Sequence, residues 1–334
     1  MKILYIGIYD NGSTSKMRGE TIKQILKPEV FDVINTSNSS FKINRLFLSL
    51  GWRCKVGPLI WAINEKINNY KLSFYDIIWV DKGVFIKPNT IKKLKQITHK
   101  LVHYTPDPAF FYHRSSLFYK QIPLYDYLVT TKSFEIDNYY EYGAKKVILT
   151  SQGYDPNIHK PHFDFDSKKG ISFIGHWEQN REEIIKNILD EGFDVYIAGI
   201  KWERFCNRFE KYKNLHYYGT GIFGDDYAKL ISKSLFSIGF LSKIIPELHT
   251  TRTFEIPACG TALITEFNEE TKKFFSEDEV IFYNSSKDLI EKIKYYSNNM
   301  EIVHKITELG QKRVAEKGYD YHSIIEKILQ EILK

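Results

Sequence analysis

Two carboxylates, Glu247 and Glu255, stand eight residues apart, with His249, Thr250, Thr251 and Arg252 between them. An ionised carboxylate only accepts hydrogen bonds, so each suits a pair of neighbouring sugar hydroxyls. A helix amino terminus carrying Thr hydroxyls and an Arg suits the anionic diphosphate that would lie between two such diols. Were the whole segment helical, eight residues would span ~12 Å, roughly the reach of a sugar diphosphate from hexose to ribose.

The elements that must hold these residues read as one βαβ unit. Phe236 to Leu241 is an apolar run with the length and bulk of a buried parallel strand. A polar connection leads to a short helix over about Thr251 to Ala258, ended by Gly260, a residue free to take positive φ. Thr261 to Thr265 follows as a second buried strand. Ligands of such sheets sit at the carboxyl ends of the strands, where this polar loop lies.

The spacing of Glu247 and Glu255 matches the E-x7-E signature of retaining GT-B glycosyltransferases of the family 4 type, and Phe254-Glu255-Ile256-Pro257-Ala258-Cys259-Gly260 resembles their E-A-x-A-x-G helix. The longer string HTTRTFEIPACG, His249 to Gly260, is similar to that of the spore-maturation-protein-B-type glycosyltransferases. The resemblance implies an α/β GT-B fold: two Rossmann-like, doubly wound parallel-sheet domains facing a cleft. It implies a transferase that takes a sugar from a nucleoside-diphosphate donor to a hydroxyl acceptor, needs no metal or other cofactor, and retains anomeric configuration. Glu255 would hold the ribose diol and Glu247 the donor sugar. The intervening LHTTRTF is not the Gly-rich version usual in family 4, which leaves the role of Glu247 and the stereochemistry open. In an inverting enzyme Asp107 would be the general base.

Strands alternate with helices along the rest of the chain, the pattern of parallel sheets. The first half reads as strands over Lys2–Tyr9, Phe31–Asn35, Tyr75–Asp81, Lys100–Tyr104, Tyr125–Thr131 and Lys146–Thr150. The second half continues with Ile171–Gly175, Phe193–Gly199, His216–Tyr218, the Phe236 and Thr261 strands and Val280–Tyr283. A polar turn containing Gly12 and Ser13 follows the first strand and offers backbone N–H groups to an anion. With Arg18, these two are candidates for donor phosphate or acceptor contact, against a plain turn with an exposed Arg. Asp107, held between two prolines after the fourth strand, is a candidate acceptor-side base or sugar-binding carboxylate, against a turn-forming Asp; His103 and His113 flank it. Apolar residues from Phe41 to Tyr70, interrupted at Gly57-Pro58, either cover the sheet or rest on a membrane surface, and core packing is the preferred reading.

By the same resemblance, Arg181, after the strand that ends at Gly175, stands where a basic residue meets the donor diphosphate, with Lys243 as a second. Tyr218 is a candidate contact to the nucleobase. Ser151-Gln152-Gly153-Tyr154-Asp155 resembles the linker that closes the first domain. The expected division is 1–160, an acceptor-side domain; 161–318, a donor domain; and 319–334, a helix crossing back to the first. Asp164-Phe165-Asp166 lies in a polar linker with no buried strand before it, a poor setting for a metal.

With 334 residues, 43% hydrophobic and 26% charged, the chain has room for two ordinary domains. The net charge of +6 is modest, and no nucleic-acid module is visible. Lys92, Lys93, Lys95 and Lys100 cluster on one helix, which suits an anionic membrane face or acidic substrate, or simply a solvated face. Three widely spaced cysteines fit a reduced compartment, hence a cytoplasmic protein with room for peripheral contact with the inner membrane. The expected partners are a nucleotide-sugar donor and a glycan, lipid-linked or protein acceptor, with no nucleic acid. Two rivals share the fold: a sugar-nucleotide epimerase, and a non-catalytic nucleotide-sugar-binding or coat-assembly protein.

Overall fold

A computed structural model describes residues 1–37, 41, 43–71, 73–111 and 114–334. His113 lies outside the described residues. The chain divides into two compact units, Met1–Ser151 with Tyr321–Lys334, and Gln152–Asp320. The segment from Gln152 to Lys160 thus belongs to the second unit, and the last helix to the first.

In the first unit the strands are β1 (Lys2–Gly7), β2 (Val30–Asn35), β3 (Tyr75–Asp81), β4 (Thr98–Thr105), β5 (Tyr127–Thr130) and β6 (Val147–Leu149). They form one parallel sheet in the order β2-β1-β3-β4-β5-β6, so the winding reverses between β1 and β3. Side chains alternate across the sheet as strand geometry demands. Leu4 and Ile6 enter one core with Leu59, Ile63 and Ile78, while Ile3 and Tyr5 enter the other with Ile22 and Trp79. That second core is closed by Ile324, Ile325, Ile328 and Leu329 of the terminal helix Tyr321–Leu333, which packs beside the helix Thr14–Leu26.

The second unit holds β7 (Ile171–Ile174), β8 (Val195–Ala198), β9 (Leu215–Tyr217), β10 (Phe236–Gly239), β11 (Ala262–Glu266) and β12 (Ile281–Tyr283). Their order, β12-β11-β10-β7-β8-β9, is again wholly parallel, with its reversal between β7 and β10. Phe173, Ile197 and Ile238 face one core, and Ile174, Tyr196 and Leu263 the other. All twelve expected strands are present, with ends that differ by up to two residues.

The helix expected over about Thr251 to Ala258 is present as Arg252–Ala258, with Glu247 in the loop before it. Gly260 does follow with φ +65°. The apolar run from Phe41 to Tyr70 does not all enter the core. Leu59, Ile60 and Ile63 are buried, while Leu46, Phe47, Leu50 and Val56 are exposed.

Candidate functional site

In the second unit, the loops after β7 and β10 flank the reversal point, the place where open α/β sheets bind ligands. Gly175 ends β7 and is locked in place: its N–H donates to Ala198, its carbonyl accepts from the Trp202 indole at 2.9 Å, and a Cβ on Gly199 would collide with it. From this end the chain enters the helix Gln179–Asp190, whose first turn carries Arg181.

Arg181 is 3% exposed. One terminal nitrogen donates to the His176 carbonyl at 2.8 Å and the other meets Glu178 at 2.8 Å. Its Nε has no partner among the described residues, and the same is true of Nε of Arg252. Arg252 donates to the Phe240 carbonyl at 3.2 Å, at the end of β10. The two guanidiniums lie 5.6 and 5.9 Å from the Phe173 ring centroid, so the candidates from β7 and from the Glu255 helix do converge.

The electrostatics of this corner are cationic. Burial, and then Arg252, lower Arg181 below the ordinary guanidinium range. Burial, followed by Arg181, Arg252 and Lys201, lowers His176 below the usual imidazole value. A buried and a half-buried guanidinium, each with an unpaired Nε beside a strand end, can bind a diphosphate with charge-assisted hydrogen bonds.

Glu178, which the sequence reading passed over, organises this corner. It is 7% exposed; one oxygen pairs with Arg181 and the other accepts the Lys243 backbone N–H at 3.0 Å. It thereby ties the loop after β10 to the loop after β7. Glu247 accepts the Ser242 N–H at 3.2 Å and adds negative charge near Arg181.

Glu255 is also buried. Its Oε2 accepts from the Tyr227 hydroxyl at 2.5 Å and from Thr251 at 3.0 Å, while His159 Nε2 stands 3.7 Å from Oε1. His159 Nδ1 accepts the Asp155 N–H, so the ring's Nε2 carries the proton that points toward Glu255. Burial, then Glu255, raises Tyr227 well above the ordinary phenol range, so it stays a donor. The carboxylate is held in one orientation, with Oε1 facing His159.

Other candidates fare differently. His249 is fully enclosed: Nε2 accepts the Gln152 N–H at 3.1 Å and Nδ1 meets Glu270 at 2.5 Å. Both nitrogens are engaged within the protein, so His249 braces the loop rather than offering a free nitrogen to a ligand. Lys243 Nζ pairs with Glu266. Thr250 is buried; its N–H donates to Thr253, and its Oγ1 has no partner among the described residues. Tyr218 is exposed just beyond β9, its ring edge-on to Tyr196, two strands away from the reversal point at β7.

In the first unit, Gly12 takes φ +80°, which explains the glycine, and Ser13 caps the helix Thr14–Leu26 by accepting from Lys16. Ser13 also donates to the Asp10 carbonyl, so its hydroxyl serves the turn. Arg18 is not an exposed ligand but a core residue: it makes a bidentate pair with Asp81 at 2.8 and 3.0 Å beneath Tyr104. Asp107 pairs with Lys82 at 2.6 Å. Beside Lys82, at the carboxyl ends of β1 to β4, lies a cavity of about 70 Å³ lined by Ile8, Thr36, Asp81 and Thr105 and walled by Trp52 and Phe85. It marks the reversal point of the first sheet.

Residues 180–330 match a family model described as glycosyl transferase-like. No curated protein matches the chain. Among solved structures, sucrose-phosphate synthase from Thermosynechococcus elongatus is similar with a TM-score of 0.69 at 12% identity, over 99% of this chain and 98% of that one. HepE of Anabaena, solved in complex with UDP-glucose, has a TM-score of 0.68 at 12% identity over 99% of both chains. The α,α-trehalose 6-phosphate synthase of Burkholderia multivorans has a TM-score of 0.67 at 8% identity, over 99% of this chain and 96% of that one. At such identities the likeness is one of fold: the chain is a two-domain α/β protein of the GT-B fold, with a six-stranded parallel sheet in each domain.

Proposed function

We propose that this protein is a glycosyltransferase, of the kind resembling the spore-maturation-protein-B type, that moves a sugar from a nucleoside-diphosphate donor to a hydroxyl acceptor. The observation that carries the reading is the pairing, at one end of one sheet, of an oriented buried carboxylate with a buried and a half-buried guanidinium. Glu255 holds the ribose diol, and Arg181 with Arg252 binds the diphosphate and stabilises the charge that develops as it leaves. That cationic pair takes the part a metal ion plays elsewhere, so the reading needs no metal. Glu247, in the loop beside Arg181, contacts the donor sugar, and transfer retains configuration. HepE, solved with UDP and with UDP-glucose, makes a uridine nucleotide the first donor to try.

The acceptor is a surface polysaccharide, a lipid-linked glycan or a glycoprotein, served on the cytoplasmic side of the membrane through the first unit near Asp107. The match of residues 180–330 to a glycosyl transferase-like model supports the same class. The test is nucleoside-diphosphate release from a panel of nucleotide sugars with and without hydroxyl acceptors. Acceptor-dependent release, lost in Glu255→Ala, is expected. Turnover of a UDP-N-acetylhexosamine with no acceptor would replace the transferase by an epimerase.

A further inference from the structure

The helices Arg45–Cys54 and Pro58–Asn69 of the first unit meet at 79°. Their inner sides bury Gly51, Leu59, Ile60, Ile63 and Ile67. Their outer sides are apolar as well. Leu46, Phe47 and Leu50 are 79%, 50% and 42% exposed, and Val56 and Trp61, at the bend and on the second helix, are 51% and 61% exposed. Leu46 and Leu50 are four apart with Phe47 beside them, so the three share one helix face. Single exposed apolar residues need no explanation, but five large ones within one bent pair of helices do.

The charge around this face says what covers it. From Val33 to Asn64 the sequence holds Lys42, Arg45, Arg53 and Lys55 and no Asp or Glu, and Glu65 is the first acid beyond it. Arg53 is exposed, and the neighbouring helix Pro88–Lys95 adds exposed Lys92 and Lys93, the latter reaching Asn68 at 3.3 Å. Lys55 is itself buried over Phe85, but apolar side chains flanked by exposed Arg53, Lys92 and Lys93 match an anionic phospholipid surface. A second copy of this chain fits less well, because a two-fold contact would bring like cations together. Among the described residues no single helix is long and apolar enough to cross a bilayer.

We infer that the bent helix pair 45–69 is a docking surface that seats the first unit on an anionic bilayer. Trp52, on the same helix, turns instead onto Phe85, with ring centroids 4.7 Å apart, and walls the cavity at the first sheet's reversal point. The lipid-facing helix and the cavity wall are therefore one element. Combined with the transferase reading, on which this last step rests, the acceptor class is lipid-linked, delivered to the cavity from the membrane surface.

The experiment is co-sedimentation of the full chain with vesicles of phosphatidylcholine alone or containing phosphatidylglycerol, alongside a nucleotide thermal-shift measurement on the same samples. Binding to the phosphatidylglycerol vesicles is expected, weakened by salt. Replacing Leu46, Phe47 and Trp61 together by Ser should cut it roughly tenfold or more, and Arg53→Glu should cut it about fivefold. All four positions are exposed, so the melting temperature should hold. Absence of vesicle binding, or binding unchanged in the triple variant, overturns the proposal. So does a wild-type dimer, seen by light scattering, that the triple variant dissolves. Vesicle binding without any nucleotide response would sink the transferase reading and leave the docking surface standing.

Discussion

Glu178 pairs with Arg181 at 2.8 Å inside the second unit, both side chains all but removed from solvent. A buried guanidinium needs a countercharge, and here a neighbour three residues back supplies it. Removing one partner of such a pair is expected to cost about 3 kcal/mol. Glu178→Ala should lower stability by that order in urea unfolding, and Glu178→Gln by less, since the amide can still accept from the Lys243 N–H. If the diphosphate binds Arg181, a nucleoside diphosphate should restore part of the loss, and its thermal shift should be larger in Glu178→Gln than in the wild type. An equal or smaller shift would remove Arg181 from the phosphate site.

Tyr227 fixes one oxygen of Glu255. Tyr227→Phe removes that donor and should cost about 1–2 kcal/mol of stability. Glu255 would still carry its charge and its bond from Thr251. Nucleotide affinity measured by calorimetry should therefore fall several-fold in Tyr227→Phe and far more in Glu255→Ala. Equal losses would mean that Glu255 acts only through the tyrosine.

These two pairs also mark how far the sequence was legible. The strands could be read because each is a short apolar run bounded by polar turns, and burial on both faces of a parallel sheet requires such runs. Arg181 and Glu255 could be singled out as candidates because each follows a strand in a βα unit. Glu178 could not be, since its value lies in a bond to Lys243, 65 residues away, and a Glu before a helix is commonplace. His249 misled for the same reason: Glu270 and Gln152, which occupy its two nitrogens, are distant in sequence. Arg18 looked like a surface residue until its partner 63 positions on came into contact.

Arg18 and Asp81 anchor the first unit's core, with the Tyr5 hydroxyl donating to the same carboxylate at 2.9 Å. Arg18→Met or Asp81→Leu alone strands a buried charge and is expected to cost about 3–5 kcal/mol. The double variant should cost much less than the sum, because replacing both ions by apolar groups removes the stranded charge. Chemical denaturation of all three variants measures the coupling; additive losses would show that the pair is not coupled.

His103 carries a pH prediction. It is fully buried against Phe118 and Tyr125, neither ring nitrogen has a partner among the described residues, and burial lowers its pKa from 6.5 to about 3 despite the opposing pull of Asp81. Between those two values the unfolded chain holds a proton that the folded chain refuses, so stability falls as pH falls. The contribution is complete above pH 6.5 and is lost through the window below it. From pH 6 to pH 5 the wild type should lose about 1.2 kcal/mol more than His103→Phe. Parallel slopes in urea midpoint against pH would show that His103 is not held neutral.

The central claim is that Glu255 with Arg181 and Arg252 forms a nucleotide site, and it is tested most directly by thermal shift against UDP, GDP, dTDP and CMP. Nucleotide at a hundred times its dissociation constant should add ~2.7 kcal/mol of stability. The account predicts that one of these nucleotides raises the melting temperature of the wild type and leaves Glu255→Ala and Arg181→Ala unmoved. A nucleotide that stabilises all three proteins alike, or none that stabilises the wild type, would contradict it.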